Sequence, residues 1–453
     1  MHLRVRSLFV GITLSMGVLT ACHKAPPDDS AVVAEQVRDA FRHAWDGYKQ
    51  FAWGHDQLLP LSGGARDWYD VSFYMTPVDA FDTMVLMGLH DRAAEAKQLI
   101  LDSLSFDRDV SVQVFEVTIR LVGGLLSAYQ MDGDERFLTL AQDLGQRLLP
   151  AFYSPTGMPF RFVNLRTGAT DGPVSNPAEI GTLMLEFGTL SKLTGDTVYY
   201  NTAKRAVVAL YDRRSPIGLV GSRIDVRTGE WQSRSSHVSG GIDSYYEYLL
   251  KSWRLFGDED FHRMWTESHA ALNRYLADTT TGGLWYAHVD MNTGDRIATH
   301  FGALDAFLPA VLALGGDLDH AQPLMESCFR MWTTFGIEPE ELDYSTMEVI
   351  APAYPLRPEN LESAYYLYHF TGDQRYRDMG RTMFESLLEH TRVEHGFAAL
   401  SSVVTMEKAD RMESFFLAET LKYAYLLFAP PATLDFDAIT FNTEAHPLRP
   451  TWR

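Results

Sequence analysis

Four stretches of this chain put carboxylates into sequence that otherwise reads as core. Residues 110–121 are apolar nearly all round, which predicts a buried helix, and Glu116 and Arg120 stand four apart on one face of it. Asp243-Ser244-Tyr245-Tyr246-Glu247 repeats that spacing with two acids among aromatics. In Leu356-Arg357-Pro358-Glu359-Asn360-Leu361-Glu362, Pro358 suits the first helical position, so Glu359 and Glu362 face the same way from a helix start. The fourth stretch, residues 412–419, carries Glu413, Phe415 and Glu419. Taken singly, each reads as a structural ion pair or a partly exposed helix edge. Four in one chain weaken that reading, because desolvating so many acids without compensation is very costly. Acids converging on a cavity with an arginine or two suit general acid–base chemistry on a neutral polyol such as a sugar.

The chemistry also assigns a protonation state to each acid. Glu116 lies on the most apolar helix, where desolvation raises a carboxyl's pKa and keeps it protonated as an acid. Glu359 sits at a helix start, where the dipole favours the ionised form that a base needs. A surplus of acids invites a divalent cation. Near the end of the chain, Phe441-Asn442-Thr443-Glu444-Ala445-His446-Pro447-Leu448 offers oxygens on a segment that Phe441, Pro447 and Leu448 would anchor. Clustered oxygens on an anchored segment suit a hard cation such as calcium; a simply anchored polar tail is the alternative.

Positioning these groups falls to helices. Gly88-Leu89-His90-Asp91, Gly133-Asp134, Gly195-Asp196, Gly257-Asp258, Gly316-Asp317 and Gly372-Asp373 each follow an apolar helical stretch. Gly suits a helix C-terminus and Asp the next N-cap, so each predicts a tight turn between antiparallel helices. The regular recurrence marks a helical-hairpin repeat, and six turns with flanking helices fit a closed ring of about seven hairpins. Between them, residues 153–172, 218–236 and 282–296 read as loops with short β-hairpins, one of them pairing Gly283–Ala287 across Asn292-Thr293-Gly294.

Composition bounds the rest. The 453 residues are 46% hydrophobic with a formal net charge of −20, enough apolar content for a large core and the wrong sign for nucleic acid. Arg4 and Arg6 precede an apolar run from Leu8 to Ala21 that ends Leu19-Thr20-Ala21-Cys22, which resembles the cleavage box of bacterial lipoproteins. An ordinary signal peptide with a chance Cys is the alternative. The expected organisation is a signal peptide (1–21), a tether (22–33) beginning at a lipidated Cys22, and one catalytic domain (34–450). With Cys22 acylated, only Cys328 remains, so no intrachain disulfide forms. His23 after the Cys favours the outer membrane by resemblance to the usual sorting pattern.

With these residues assembled, residues 34–448 resemble the class I α-1,2-mannosidases, family 47 of the glycoside hydrolases. The resemblance rests on seven separated places: YKQFAWGHD (48–56), VDAFDTMVLMG (78–88), 115–120, DSYYEYLLK (243–251), 356–363, 412–423 and the FNTEAHPL tail. It implies an (α/α)7 barrel plugged by a C-terminal β-hairpin, a calcium ion at the barrel floor, and hydrolysis of terminal α-1,2-linked mannose with inversion; separately, a monomer is expected. On matching positions, Glu116 would be the general acid, acting directly or through water, and Glu359 the general base, with Asp243 the competing candidate. Arg120, Glu247, Arg357, Glu362, Phe415 and Glu419 would hold the sugar, and Thr443 would ligate Ca2+. Asp82 and Glu340 match outer positions. Where the family has His-Leu-x-Cys-Phe, this chain reads His300-Phe301-Gly302-Ala303-Leu304-Asp305-Ala306-Phe307, leaving the role of His300 open. Two rivals stand beside this reading: a mannoside-binding surface lipoprotein on the same scaffold, and an α/α-barrel glycosidase of other linkage specificity.

Overall fold

The computed structural model describes residues 29–452. The expected signal segment and Cys22 lie outside them. Seven helical segments buried almost all round form an inner ring: Met75–Leu86, 114–132, 177–194, Asp243–Phe256, 304–314, Glu359–Thr371 and 416–428. Each touches the next, and the last returns to Met75–Leu86, which closes the ring. Seven outer helices show why the sequence divides this way. Glu259–Tyr275, for example, buries only Phe261, Met264, Trp265, Ser268, Ala271 and Leu272, a single stripe at helical spacing. Met75–Leu86 instead buries every residue from Met75 to Met84. The result is the expected (α/α)7 barrel, its seventh pair made by the first helix, Ser30–Phe51, against 416–428.

The turns follow the local rule. All six glycines adopt φ between 66° and 86°, and at Gly88, Gly133, Gly195, Gly316 and Gly372 a Cβ would meet nothing. Backbone conformation therefore requires glycine there, rather than space. Asp134, Asp196, Asp258, Asp317 and Asp373 each accept a backbone N–H of the following helix at 3.0–3.2 Å. The turn at Gly88 differs: Leu89 takes the N-cap position and Asp91 falls in the first helical turn.

Two local expectations change. Residues 111–113 form a strand against 162–164, and the apolar helix begins only at Val114. Gly283–Tyr286 pairs back onto Ala277–Thr280, while the Asn292 turn joins His288–Asp290 to Arg296–Ala298. In both cases an apolar run continued past a break that only strand pairing reveals.

The FNTEAHPL tail is the plug. Thr440–Phe441 pairs with Pro447–Leu448, and Asn442, Glu444, Ala445 and His446 are buried. Its tip lies on Gly123 and Gly124, where added Cβ atoms would come within 2.5 Å of Asn442 and 2.8 Å of Val78. Asn442 donates to Ile119 O (2.9 Å) and Glu186 (2.8 Å) and accepts from the backbone of Glu444 and His446. Lys422, fully buried, bridges Asp82 (2.7 Å) and the Ala445 carbonyl (2.5 Å), and His446 Nδ1 meets Asp82 at 2.7 Å. Asp82 is thus a floor residue of the barrel that holds the plug.

Candidate active site

The inner helices all begin at one end of the barrel, and a cavity of about 280 Å³ opens there, small among ligand-sized pockets. Glu116, Arg120, Asp243, Arg357, Glu359, Phe415, Glu419 and Thr443 all line it. Larger cavities, of about 550, 410 and 390 Å³ at the opposite end and about 320 Å³ beside the mouth, gather no comparable set of buried acids, so lining chemistry, not size, selects the site. Glu116, Asp243 and Glu359 come from the second, fourth and sixth inner helices, spacing the three acids around the ring. Each stands within the first turns of its helix, where the positive end of the dipole faces the acids.

Glu116 lies two 3.0 Å contacts from Arg120. Arg120 also pairs with Glu444 and stacks between Trp68 (5.0 Å) and Phe415 (5.8 Å). Arg357 lies over the same Phe415 ring at 5.6 Å and grips Glu340 through two contacts of 3.1 and 2.5 Å. One aromatic ring therefore sits between two fixed guanidiniums. Arg120 and Glu419 sit on π-helical turns, 118–122 and 416–420, a feature common at functional sites because the extra residue re-aims side chains.

Two expected residues do not reach the cavity wall. Glu247 turns to the fully buried Lys251, and Glu362 accepts from Tyr423 OH at 3.1 Å with Lys251 at 3.9 Å. His300 also stands apart, partly exposed, with Nδ1 3.3 Å from Glu341. Three polar residues of the lining went unread in the sequence: Gln113, Asn176 and Glu179. Asn176-Pro177-Ala178-Glu179 carries a legible signal, an Asn N-cap before a first-turn proline, and Asn176 does accept the Glu179 N–H at 2.9 Å. Buried Glu186, which holds Tyr248 and Asn442, is another acid in an apolar run and follows the pattern of the four stretches.

A profile of Glycosyl hydrolase family 47 matches residues 40–450. The chain belongs to glycosyl hydrolase family 47. It is 39% identical to alpha-mannosidase I MNS4 of Arabidopsis thaliana over 97% of this chain and 73% of that protein. Human endoplasmic reticulum mannosyl-oligosaccharide 1,2-alpha-mannosidase is 38% identical over 92% of this chain and 64% of its own length. Among solved structures, the alpha-1,2-mannosidase of Trichoderma reesei superposes with a TM-score of 0.86 at 30% identity, covering 92% of this chain and 99% of that one.

Electrostatics in this family 47 site reverse one expectation. Burial pushes Glu359 up to about 8, with Arg357 opposing, and Asp243 up to about 7, with the Ser244 N–H opposing. Loss of hydration thus outweighs the dipole at Glu359. Glu116, expected to be the desolvated group, has a side chain 24% exposed and paired with Arg120. Its helix is apolar, but its own carboxylate points to the mouth. Glu362 is pushed up to about 7 and Glu419 well above the usual carboxylate range, both chiefly by burial.

The donor set around Thr443 fits a hard cation. Its N–H donates to Tyr248 OH (3.2 Å), while its hydroxyl and carbonyl oxygens meet no hydrogen-bond donor among the described residues. Glu359 and Glu186 each keep a buried oxygen without a partner. Among the described residues no three His, Cys, Asp or Glu side chains converge closely enough to bind an ion directly. Thr443 would supply the protein ligands and the carboxylates would balance charge from further out.

Proposed function

We propose that this family 47 protein hydrolyses terminal α-1,2-linked mannose with inversion at the anomeric carbon, and that it requires calcium. The observation that carries the reading is the convergence of Glu116, Asp243 and Glu359 with Arg120, Arg357 and Phe415 around one sugar-sized cavity. The human and Trichoderma relatives are 1,2-alpha-mannosidases, which supports the linkage. Glu116, oriented by Arg120, protonates the departing glycosidic oxygen, directly or through a water. Glu359, steadied by Arg357, deprotonates the attacking water on the opposite face; Asp243 competes for that part. Glu116 and Glu359 stand three helices apart on the ring, leaving room for the water that inversion requires. Phe415 offers an apolar face to the ring while the buried acids accept its hydroxyl protons. A divalent cation bound at Thr443 would engage vicinal sugar hydroxyls and favour the ionised acids around it.

Digestion of α-1,2-, α-1,3- and α-1,6-mannobiose with and without chelator tests this. Only the α-1,2 isomer is expected to be cleaved, chelation to abolish cleavage, and calcium to restore it better than magnesium, whose small octahedral shell resists two sugar oxygens. Full activity after metal stripping would sink the calcium reading. Binding without turnover would make the protein a mannoside-binding lipoprotein, and cleavage of another isomer would give it another specificity.

The same reading retains Cys22 as a lipid anchor, in the outer membrane by its sorting pattern. Cys22→Ser should release the protein from membranes without changing turnover. A variant that still fractionates with membranes, beside a wild type carrying no lipid, overturns the anchor.

A further inference from the structure

Asp243 is presented by a tight turn, residues 239–242, that leads into its helix. The Ser239 carbonyl accepts the N–H groups of both Ile242 and Asp243 at 3.1 Å. Gly240 and Gly241 form the cavity wall on this side. A Cβ at Gly240 would come 2.8 Å from Leu304 Cδ1, so the turn lies directly against the start of the next inner helix. One residue further along that helix is Asp305, 1% exposed, outside the cavity lining and without an assigned part in the chemistry. Both of its oxygens lie within reach of the Ser239 hydroxyl, at 2.7 and 2.9 Å, and one also accepts the Gly302 N–H at 2.9 Å.

The Ser239 hydroxyl has a single proton and two acceptor neighbours, Asp305 and His288 Nε2, the latter at 3.2 Å. Ionised Asp305 takes that proton, and His288 must then present Nε2–H to the serine oxygen. His288 is kept neutral by burial, which holds it down to about 4, and its ring lies 4.4 Å from that of His237. The groups facing Asp305 are therefore the serine, His288 beyond it, and the carboxylates of Asp243 and Glu341, whose charge adds to burial in raising it to about 7.

We propose that Asp305 is a positioning residue for hydrolysis: through the Ser239 hydroxyl it fixes the glycine turn that aims Asp243 at the sugar. The role rests on the hydrolase reading above. A carboxylate anchored to the 302 backbone and to the 239 hydroxyl ties two loops of the mouth together, and a slip of about 1 Å at Asp243 is enough to reduce turnover strongly.

Steady-state kinetics on α-1,2-mannobiose, with thermal unfolding in parallel, compares wild type, Asp305→Asn, Ser239→Ala and Ser239→Thr. Asp305→Asn and Ser239→Ala should lower kcat by about tenfold to a hundredfold with KM within about twofold of wild type and an unchanged unfolding midpoint. Ser239→Thr, which keeps the hydroxyl, should recover most of the loss. Unchanged kcat in an otherwise active protein, no rescue by threonine, or a midpoint that falls in step with kcat would each overturn the role. A wild type that fails to cleave the substrate would overturn the hydrolase reading, and the positioning role with it.

Discussion

Glu359→Gln and Glu116→Gln should each lower kcat on α-1,2-mannobiose by about a hundredfold or more while leaving the fold intact. Both variants keep the shape of the side chain and remove only its ability to exchange a proton. Neither carboxylate is needed to hold the barrel: Glu359 keeps one buried oxygen without a partner, and Glu116 bonds to Arg120, which retains Glu444. Proton NMR during early hydrolysis should show β-mannose released first from the α-linked substrate. Initial α-mannose, or a trapped glycosyl-enzyme, would refute Glu359 as base, because retention requires direct carboxylate attack. The pH dependence adds an independent check. A base works only when ionised, so the rate rises with pH through the pKa of Glu359, which burial lifts and Arg357 restrains. Arg357→Gln should therefore move that acid limb to higher pH. Arg357 also restrains Asp243, so this shift tests the arginine, and the larger loss of kcat between Glu359→Gln and Asp243→Asn identifies the base.

Lys422→Met should destabilise the protein by about 3–5 kcal/mol, read as a lowered unfolding midpoint, although Lys422 does not line the cavity. The substitution leaves Asp82 buried with His446, Ser127 and, at 3.5 Å, the Thr83 hydroxyl but no lysine, and it frees the Ala445 carbonyl, so the plug loses this charged tie to the last inner helix. The same network makes stability depend on pH. Burial opposes the charge on His446, but Asp82 and Asp79 overcome it and lift it to about 9. A folded value of about 9 against an ordinary 6.5 corresponds to about 3 kcal/mol of stabilisation. That contribution is complete below about pH 6.5 and is lost as pH rises through 9. Asp82 is opposed by burial and held down to about 2 by Lys422 and His446, so its share is present above about pH 4 and is lost as pH falls through 2. Glu359 and Glu444, each raised to about 8 by burial, act in the same direction as His446, since ionising them in the folded barrel is unfavourable. In metal-free buffer the unfolding midpoint should fall from pH 6.5 to 9, and His446→Gln should make that fall shallower. An equal slope in the variant would remove His446 from the network.

The sequence by itself determined whatever is settled within a few residues. Gly133-Asp134 and its counterparts specify helix pairs because the left-handed glycine and the capping aspartate act over one turn of chain. Pro358 before Glu359, and the acids set into apolar runs at 116, 243 and 419, mark the site for the same reason: a helix start and its polarity are local properties. The tertiary structure alone decided which of these acids reaches the sugar. Glu247 stands four residues before Lys251 on one helix, a pairing that spacing allows, but only ring closure buries that pair and brings Glu362 of another helix onto the same lysine. It also decided protonation, because burial of Glu359 among neighbouring helices outweighs the dipole of its own helix. The tail is the clearest division. FNTEAHPL is polar enough to stay in water by its own composition. It is buried because Asp82, Ile119, Glu186 and Lys422, each far away in sequence, together satisfy its side chains and backbone inside a closed barrel.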